Sequence, residues 1–406
     1  MRLYIFIIFL VFVNICFSQD DKNIQIKGFI DTYHAGRIKE PNDFLASRSR
    51  FRGEIEKLNN KSYFFASINA VHNNVIPELS KIQFREAYIE YTDDKWGFKA
   101  GRQIILWGKA DGLKITDVIS PMDLTEFLAQ DYDDIRMPVN GIVISKFNNN
   151  WVLDLVCIPV FEGYILPGTD NPWSMNDAET GIVTDEAQLP EFKLSNTEYG
   201  GKLSFYLSGI DIDLSALYTW NKAPVYSYYI DSTSVFHVKP EFHRIGFLGF
   251  GFSKSVNAFI IRGESAIYFN KKFTPKAEYY EAGLPEKNSI GYLIGIDWYP
   301  GNEISVTCQF SDEYILDYDH EISYAEHTYI STLGISKKLL RSTLSLSTFG
   351  YFGLKEGDFF NRTSVDYALS DNIHVISGID WFSGESGLFG QYRDNSQVWI
   401  KAKYSF

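Results

Sequence analysis

Beyond its first 18 residues, the 406-residue chain has no apolar run of the roughly 20 residues that a membrane helix needs. It is poor in sulfur, with 3 Cys and 4 Met. A disulfide-stapled scaffold is excluded, because only Cys157 and Cys308 follow Cys16. Each falls on an apolar strand face by alternation and reads as a free packing thiol, a single Cys157–Cys308 bridge being the alternative. Positive charge is in deficit: 38 Lys and Arg against 51 Asp and Glu give a net charge of -13. That balance excludes nucleic acid as a partner, which calls for basic patches. The 7 histidines are scattered without a metal-ligand spacing, so no metal and no cofactor are expected. There is no low-complexity segment, no linker rich in Pro or Ser, and no blade-length repeat of the kind a propeller shows.

At the start of the chain, Met1-Arg2 precedes the apolar run Leu3 to Val13, with Cys16 and Ser18 as small residues after it. A charged start, a short apolar middle and a small-residue cleavage site predict a signal peptide over 1–18 and a single domain over 19–406. An exported chain without a spanning helix is either soluble or crosses lipid as strands, since only helices and closed barrels do so. Composition favours strands. Aromatic residues make up 16% of the chain, with 26 Tyr and 32 Phe, and only 22% is charged, as aromatic girdles and many short strands would require.

Polar turn signals recur at Asn59-Asn60, Asp93-Asp94, Asn148 to Asn150, Ser208-Gly209, Ser255 to Asn257, Pro300 to Asn302, Lys337-Lys338 and Ser370 to Asn372. Between them lie longer, acidic or Pro-containing segments around 108–140, 163–195, 222–242 and 274–287. Alternating short and long connections predict a transmembrane antiparallel up-and-down β-barrel with short periplasmic turns and long outer loops. The spacing gives about 18 strands, or 16 if the region 243–256 does not hold two of them. Alternation supports this: Ile304, Val306, Cys308 and Phe310 oppose Ser305, Thr307, Gln309 and Ser311. Ile212, Leu214, Ala216 and Tyr218 oppose Asp213, Ser215 and Thr219, and apolar-out, polar-in strands of this kind suit lipid outside and water inside. In the last strand Val398, Ile400, Ala402, Tyr404 and Phe406 share one face; Gln397, Lys401, Lys403 and Ser405 share the other, with Trp399 the large exception. This ending resembles the C-terminal insertion signal of bacterial outer-membrane barrels. The resemblance implies outer-membrane lipid and the barrel-assembly machinery as partners.

Two features carry the functional expectation. Arg48, Arg50 and Arg52 share one strand face with Glu54 and Glu56, and each Arg would cost about 2–4 kcal/mol facing lipid at the midplane. They are expected to line a water-filled pore, joined by Arg262, Glu264 and Asp297. Arg85 and Glu86 adjoin, and by strict alternation cannot share that face. The second feature is 108–140, too long and too acidic for a turn. Asp117, Asp123, Asp131, Asp133, Asp134 and Arg136 mark it as a constriction loop, and Ile115, Val118, Ile119, Leu124, Phe127, Leu128 and Ile135 give it enough apolar surface to fold inward. Acidic loop and arginine strand would then set a transverse field across the opening. An external cap over the barrel mouth is the alternative.

Within this region Gly101-Arg102-Gln103, Trp107-Gly108, Pro121-Met122-Asp123-Leu124 and Arg136-Met137-Pro138-Val139 stand in order. The series resembles a segment of porin-like outer-membrane barrels of largely unassigned role, and more distantly the barrels that export alginate-type polysaccharides. The resemblance covers roughly residues 97–145 and implies a barrel and a conduit, not a cargo. The expected function is passive passage of small polar solutes through the bacterial outer membrane, without enzymatic activity. The alternatives are an export conduit for polysaccharide or lipid, and a surface adhesin or structural barrel. The last would work through long loops such as 163–195, which carries Trp173 and Phe192 among Asp170, Asp177, Glu179, Asp185, Glu186 and Glu191. Asp319-His320, with Ser323 nearby, reads as a solvated loop rather than part of a catalytic triad.

Overall fold

The structure, a computed structural model, describes residues 24–174 and 182–406. The expected leader over 1–18, and Asp177 and Glu179 of the long 163–195 connection, lie outside the described residues. The first strands are β1 (Ile24–Arg37), β2 (Phe44–Asn59), β3 (Ser62–Asn73), β4 (Lys81–Thr92), β5 (Trp96–Gln103), β6 (Val139–Phe147) and β7 (Trp151–Ile158). There follow β8 (Val183–Thr184), β9 (Glu198–Leu207), β10 (Ile210–Trp220), β11 (Val225–Ile230), β12 (Phe236–Glu241), β13 (Arg244–Val256) and β14 (Phe259–Lys272). The last are β15 (Glu286–Gly301), β16 (Ile304–Ile315), β17 (His327–Leu339), β18 (Leu344–Gly353), β19 (Asp358–Ala368), β20 (Ile373–Ser383) and β21 (Gln397–Ser405).

All of these except β8, β11 and β12 form one 18-stranded antiparallel sheet. It closes on itself, because Ile30 of β1 faces Phe51 of β2 on one side and Tyr404 of β21 on the other. Closure removes the unpaired strand edges that lipid could not satisfy. The region 243–256 holds one full strand, β13, in place of the two weak ones expected, and the sheet nevertheless counts 18 strands and not 16. The remaining three strands form a small separate sheet in the long connections 159–197 and 221–243. Among the described residues no helix is long and apolar enough to cross a membrane.

Short turns gather at one rim and the longer connections at the other. One turn is displaced from its expected place: Lys337 and Lys338 still pair within β17, and the chain reverses over Leu340 to Thr343. Leu340, Arg341 and Ser342 all have positive φ there, so backbone conformation, not the lysine pair, makes the turn. Outward positions are apolar and exposed, as at Tyr292, Ile294, Ile296, Val398, Ile400 and Tyr404. Trp399 points inward and is buried, with the Arg362 guanidinium 4.3 Å above its ring. Cys157 and Cys308 are free and exposed.

Two expectations about the inner wall are corrected. The wall is not polar throughout: Val156, Ile158, Leu217, Phe247, Ala266 and Leu293 form a buried apolar arc on the strands from β7 to β15. Ile105, Trp107, Ile115 and Ile119, from the connection between β5 and β6, cover that arc. Burying such side chains contributes about 1.5–3 kcal/mol each, which holds the connection inside the barrel. The second correction concerns Arg85 and Glu86. Ser67 pairs with Glu86 and Ile68 with Phe84, so Arg85 is the extra residue of a β-bulge. The bulge lets both neighbours reach inward: Arg85 donates to the Asp133 carbonyl, and Glu86 accepts from the Ile104 N–H at 2.9 Å.

Candidate functional site

The connection between β5 and β6 spans 104–138, slightly earlier than the 108–140 expected, and it touches inward side chains around the circumference. It meets β14 at Arg262 and Glu264, β16 at Gln309, β18 at Tyr351, β21 at Lys401, β2 at Arg48, Arg50 and Arg52, and β4 at Arg85. A cap over the mouth would touch the outer connections only. This segment lies across the interior.

Its first part is tied to β14 and β16. Glu264 is a buried carboxylate that accepts four hydrogen bonds from the segment: from the N–H of Lys109, the N–H of Ala110 at 2.8 Å, and the N–H and hydroxyl of Thr116 at 2.9 and 2.8 Å. Arg262 donates to the Lys109 carbonyl at 2.7 Å, to Asp111, and to Asp297 at 2.7 Å. Gln309 donates to the Asp111 carbonyl at 2.8 Å and accepts from the Asp111 N–H at 3.1 Å. A Cβ on Gly108 would come within 2.9 Å of the Asp117 Cβ, so glycine permits this close crossing. The middle then folds on itself. Met137 donates to the Pro121 carbonyl at 2.9 Å and Asp123 to the Ile135 carbonyl at 2.7 Å, pairing the two Pro-containing motifs. Asp117 lies 3.4 Å from Arg136, and Asp123 accepts from the Thr125 hydroxyl at 2.6 Å.

The acidic end meets the arginine strand directly. Arg48 pairs with Glu126. Arg50 pairs with Asp31 at 2.6 Å and Asp134 at 2.7 Å, and Arg52 with Asp134 at 2.8 Å. Asp131 lies 2.5 Å from Lys401 and 3.6 Å from Arg362. The field expected across an open gap is therefore replaced here by contact: desolvated opposite charges hold the segment to the wall. The Asp133 carboxylate has no hydrogen bond or ion pair among the described residues and is exposed. Glu54 and Glu56 share the arginine face, as expected, but stand apart from the segment. Glu56 accepts from Lys27 at 2.9 Å and Tyr63 at 2.6 Å, and Glu54 from Ser67 at 3.5 Å. Sequence reading passed over Asp31 and Arg362, and it placed Gln309 and Lys401 on polar strand faces without a partner. All four sit at inward positions of alternating strands, a signal available at β1, β16, β19 and β21.

The segment divides the interior unequally. A cavity of about 500 Å³ remains between it and β16–β19, lined by Ser305, Thr307, Ser336, Ser347, Asp131 and Asp133 among others. A smaller one of about 120 Å³ lies against β2–β5, beside Arg48, Arg50, Arg52 and Arg85. Toward the long connections Phe127, Trp173, Phe382, Phe389 and Tyr392 pack together, with the Phe127 and Tyr392 rings 4.2 Å apart.

Residues 77–276 match the family described as "Protein of unknown function (DUF1302)". No curated protein matches the sequence. Among solved structures the chain is similar to OccK3 (OpdO) of Pseudomonas aeruginosa, at 9% identity and a TM-score of 0.55, covering 94% of this chain and 95% of that one. It is also similar to OccK11 (OpdR) of the same organism, at 9% identity and a TM-score of 0.52, covering 94% and 96%. At this identity the likeness speaks for the fold. The protein is an 18-stranded antiparallel β-barrel whose residues 77–276 match this family of unknown function.

Proposed function

We propose that the barrel sits in the bacterial outer membrane and passes small polar solutes passively, with the 104–138 segment as its constriction. One observation carries this reading: the segment crosses the interior and leaves a cavity of about 500 Å³ with polar side chains on both walls. Arg48, Arg50, Arg52, Arg262, Glu264 and Asp297 then act as the inner wall that positions the constriction, with Glu54 and Glu56 lining the approach. The apolar outer face suits lipid, and the C-terminal strand suits recognition by the assembly machinery.

An exporter of polysaccharide or lipid would use a wider or apolar passage. The apolar arc of this barrel is buried under the segment, which favours the channel reading. A non-enzymatic role accords with the loop chemistry. His320 is exposed beside Asp319, while the Ser323 hydroxyl donates to the Thr274 carbonyl at 2.9 Å and is not directed at the imidazole. The test is purified protein in planar lipid bilayers. Discrete conductance steps support the channel; an intact, folded barrel without them overturns it and moves the adhesin reading ahead.

A further inference from the structure

We propose that the passage runs off-centre, against β16–β19, and favours small hydrogen-bonding cations such as ammonium and guanidinium compounds over anions. This rests on the channel reading above.

The argument is a comparison of the two sides of the segment. On the arginine side the three charges of β2 are neutralised where they stand, Arg48 by Glu126, Arg50 by Asp31 and Asp134, Arg52 by Asp134, and Arg85 is held by the Asp133 carbonyl. Little space remains beside them, about 120 Å³. A solute there would have to part buried ion pairs, whose separation leaves a charge without a partner in a region of low dielectric.

The other side differs in both space and charge. Its cavity is about four times larger and extends along β18 from Ser347 to Tyr351, roughly 14 Å at strand rise. One wall carries the inward hydroxyls of Ser305, Thr307, Ser336, Ser347 and Ser364; Ser305 bonds Ser336 and Ser347 bonds Ser364 across strands at 2.7 Å, and Thr307 donates to Asp297 at 2.9 Å. Hydroxyls both donate and accept, so this wall can replace part of a solute's hydration shell without selecting a charge sign. The sign comes from the facing wall. Asp111 and Asp131 pair with cations on their far sides, yet their side chains stay 54% and 46% exposed. Asp133 is exposed as well. The one cation among the lining residues, Arg362, is largely buried, held by Asp380 at 2.7 Å and stacked on Trp399. Accessible charge along the larger passage is therefore negative. In a narrow space with low-dielectric walls that sign sets which ions enter.

The experiment uses the full-length barrel in planar bilayers under a KCl gradient, followed by replacement of K+ with arginine hydrochloride. The reversal potential is expected to show K+ preferred over Cl-, with arginine carrying current. Asp133→Asn, which breaks no ion pair, should lower the cation-to-anion permeability ratio by about sevenfold, as expected for one charge acting through water at about 7 Å on cations and anions in opposite senses. Ser336→Lys, on the opposite wall, should invert the preference without disturbing the segment's tethers. Conductance with anion preference would overturn this inference and leave the channel reading standing. So would a cation preference that neither substitution changes, since the path would then lie elsewhere. Absence of conductance from the folded barrel overturns both.

Discussion

Glu264 holds Thr116 twice on a single oxygen, accepting its backbone N–H at 2.9 Å and its hydroxyl at 2.8 Å. The bonds join a strand in the barrel wall to a segment lying across the interior, so this carboxylate is one of the tethers that fix the path of the segment. Glu264→Gln would set an amide NH2 against backbone donors at the cost of about 1.5–3 kcal/mol per charged hydrogen bond lost. The barrel strands should persist while the segment loosens. Single-channel records should show larger, noisier steps; steps identical to those of the unmodified protein would mean that the segment does not limit conductance.

Accessibility to thiol reagents should follow the division of the interior, not the arginine strand alone. With Cys157 and Cys308 replaced, cysteine at Ser336 or Ser347 should react rapidly with small cationic reagents. Cysteine at Arg50, where the side chain is 8% exposed and paired with Asp134, should react slowly. Cysteine at Ser49 or Phe51 should be protected in membranes, because the pleat turns both outward. Equal rates at Arg50 and Ser347 would contradict the contact between segment and wall.

Phe406 closes the seam. Its N–H donates to the Gly28 carbonyl at 3.0 Å, its carbonyl accepts from the Gly28 N–H at 3.0 Å, and its ring stacks near Phe51 with centroids 6.2 Å apart. Removing it loses two hydrogen bonds of about 0.5–1.5 kcal/mol each and the aromatic contact at the site of closure. The fraction of heat-modifiable barrel formed in a reconstitution assay should fall sharply. Unchanged assembly would remove the terminal residue from the closure step.

The small outer sheet should respond to pH. His237 Nδ1 lies 2.8 Å from Asp185, and Nε2 lies 3.4 Å from Asp231. The bond with Asp185 raises the imidazole above its ordinary pKa, against an opposing effect of burial. The same bond lowers Asp185, and the Val235 N–H, with Thr233, brings Asp231 down to about 2. A raised histidine stabilises fully below its unfolded pKa of about 6.5 and loses that contribution as pH rises through the folded value. The lowered aspartates stabilise above about 4 and lose that contribution as pH falls through their folded values. Amide protection factors in β11 and β12 should therefore peak between about pH 4 and 6.5. His237→Gln should flatten the alkaline side of the profile and reduce the acid side to the part that Asp231 carries through Val235 and Thr233.

Trp173, 1% exposed, joins the 159–197 connection to the aromatic cluster at Phe382 and Tyr392. Trp173→Ala should cost about 3–5 kcal/mol of local stability and free that connection to proteolysis. If the cluster also narrows the outer end of the passage, conductance steps rise in the same variant. Unaltered proteolysis would count against the packing.

The sequence by itself determined the barrel. Alternation at Ile304 to Ser311, turn chemistry at Asn59-Asn60 and Ser208-Gly209, and the aromatic ending at Phe406 are local signals, read within a few residues, and strand pairing follows from them. It also marked the arginines of β2 and the long acidic segment, because three arginines on one face and a connection of that length are conspicuous within a single stretch of chain. What it could not supply is which groups meet. Arg50 and Asp134 are distant along the chain, as are Thr116 and Glu264, and only the curvature of a closed sheet brings each pair together. The bulge at Arg85 broke the period of two on which face assignment rests, and the apolar arc from Val156 to Leu293 is spread over several strands, so no single window showed it. Tertiary structure also decided which charges face the larger cavity: the arginines of β2 are neutralised by contact, and the carboxylates left exposed belong to a segment whose path the chain order does not reveal.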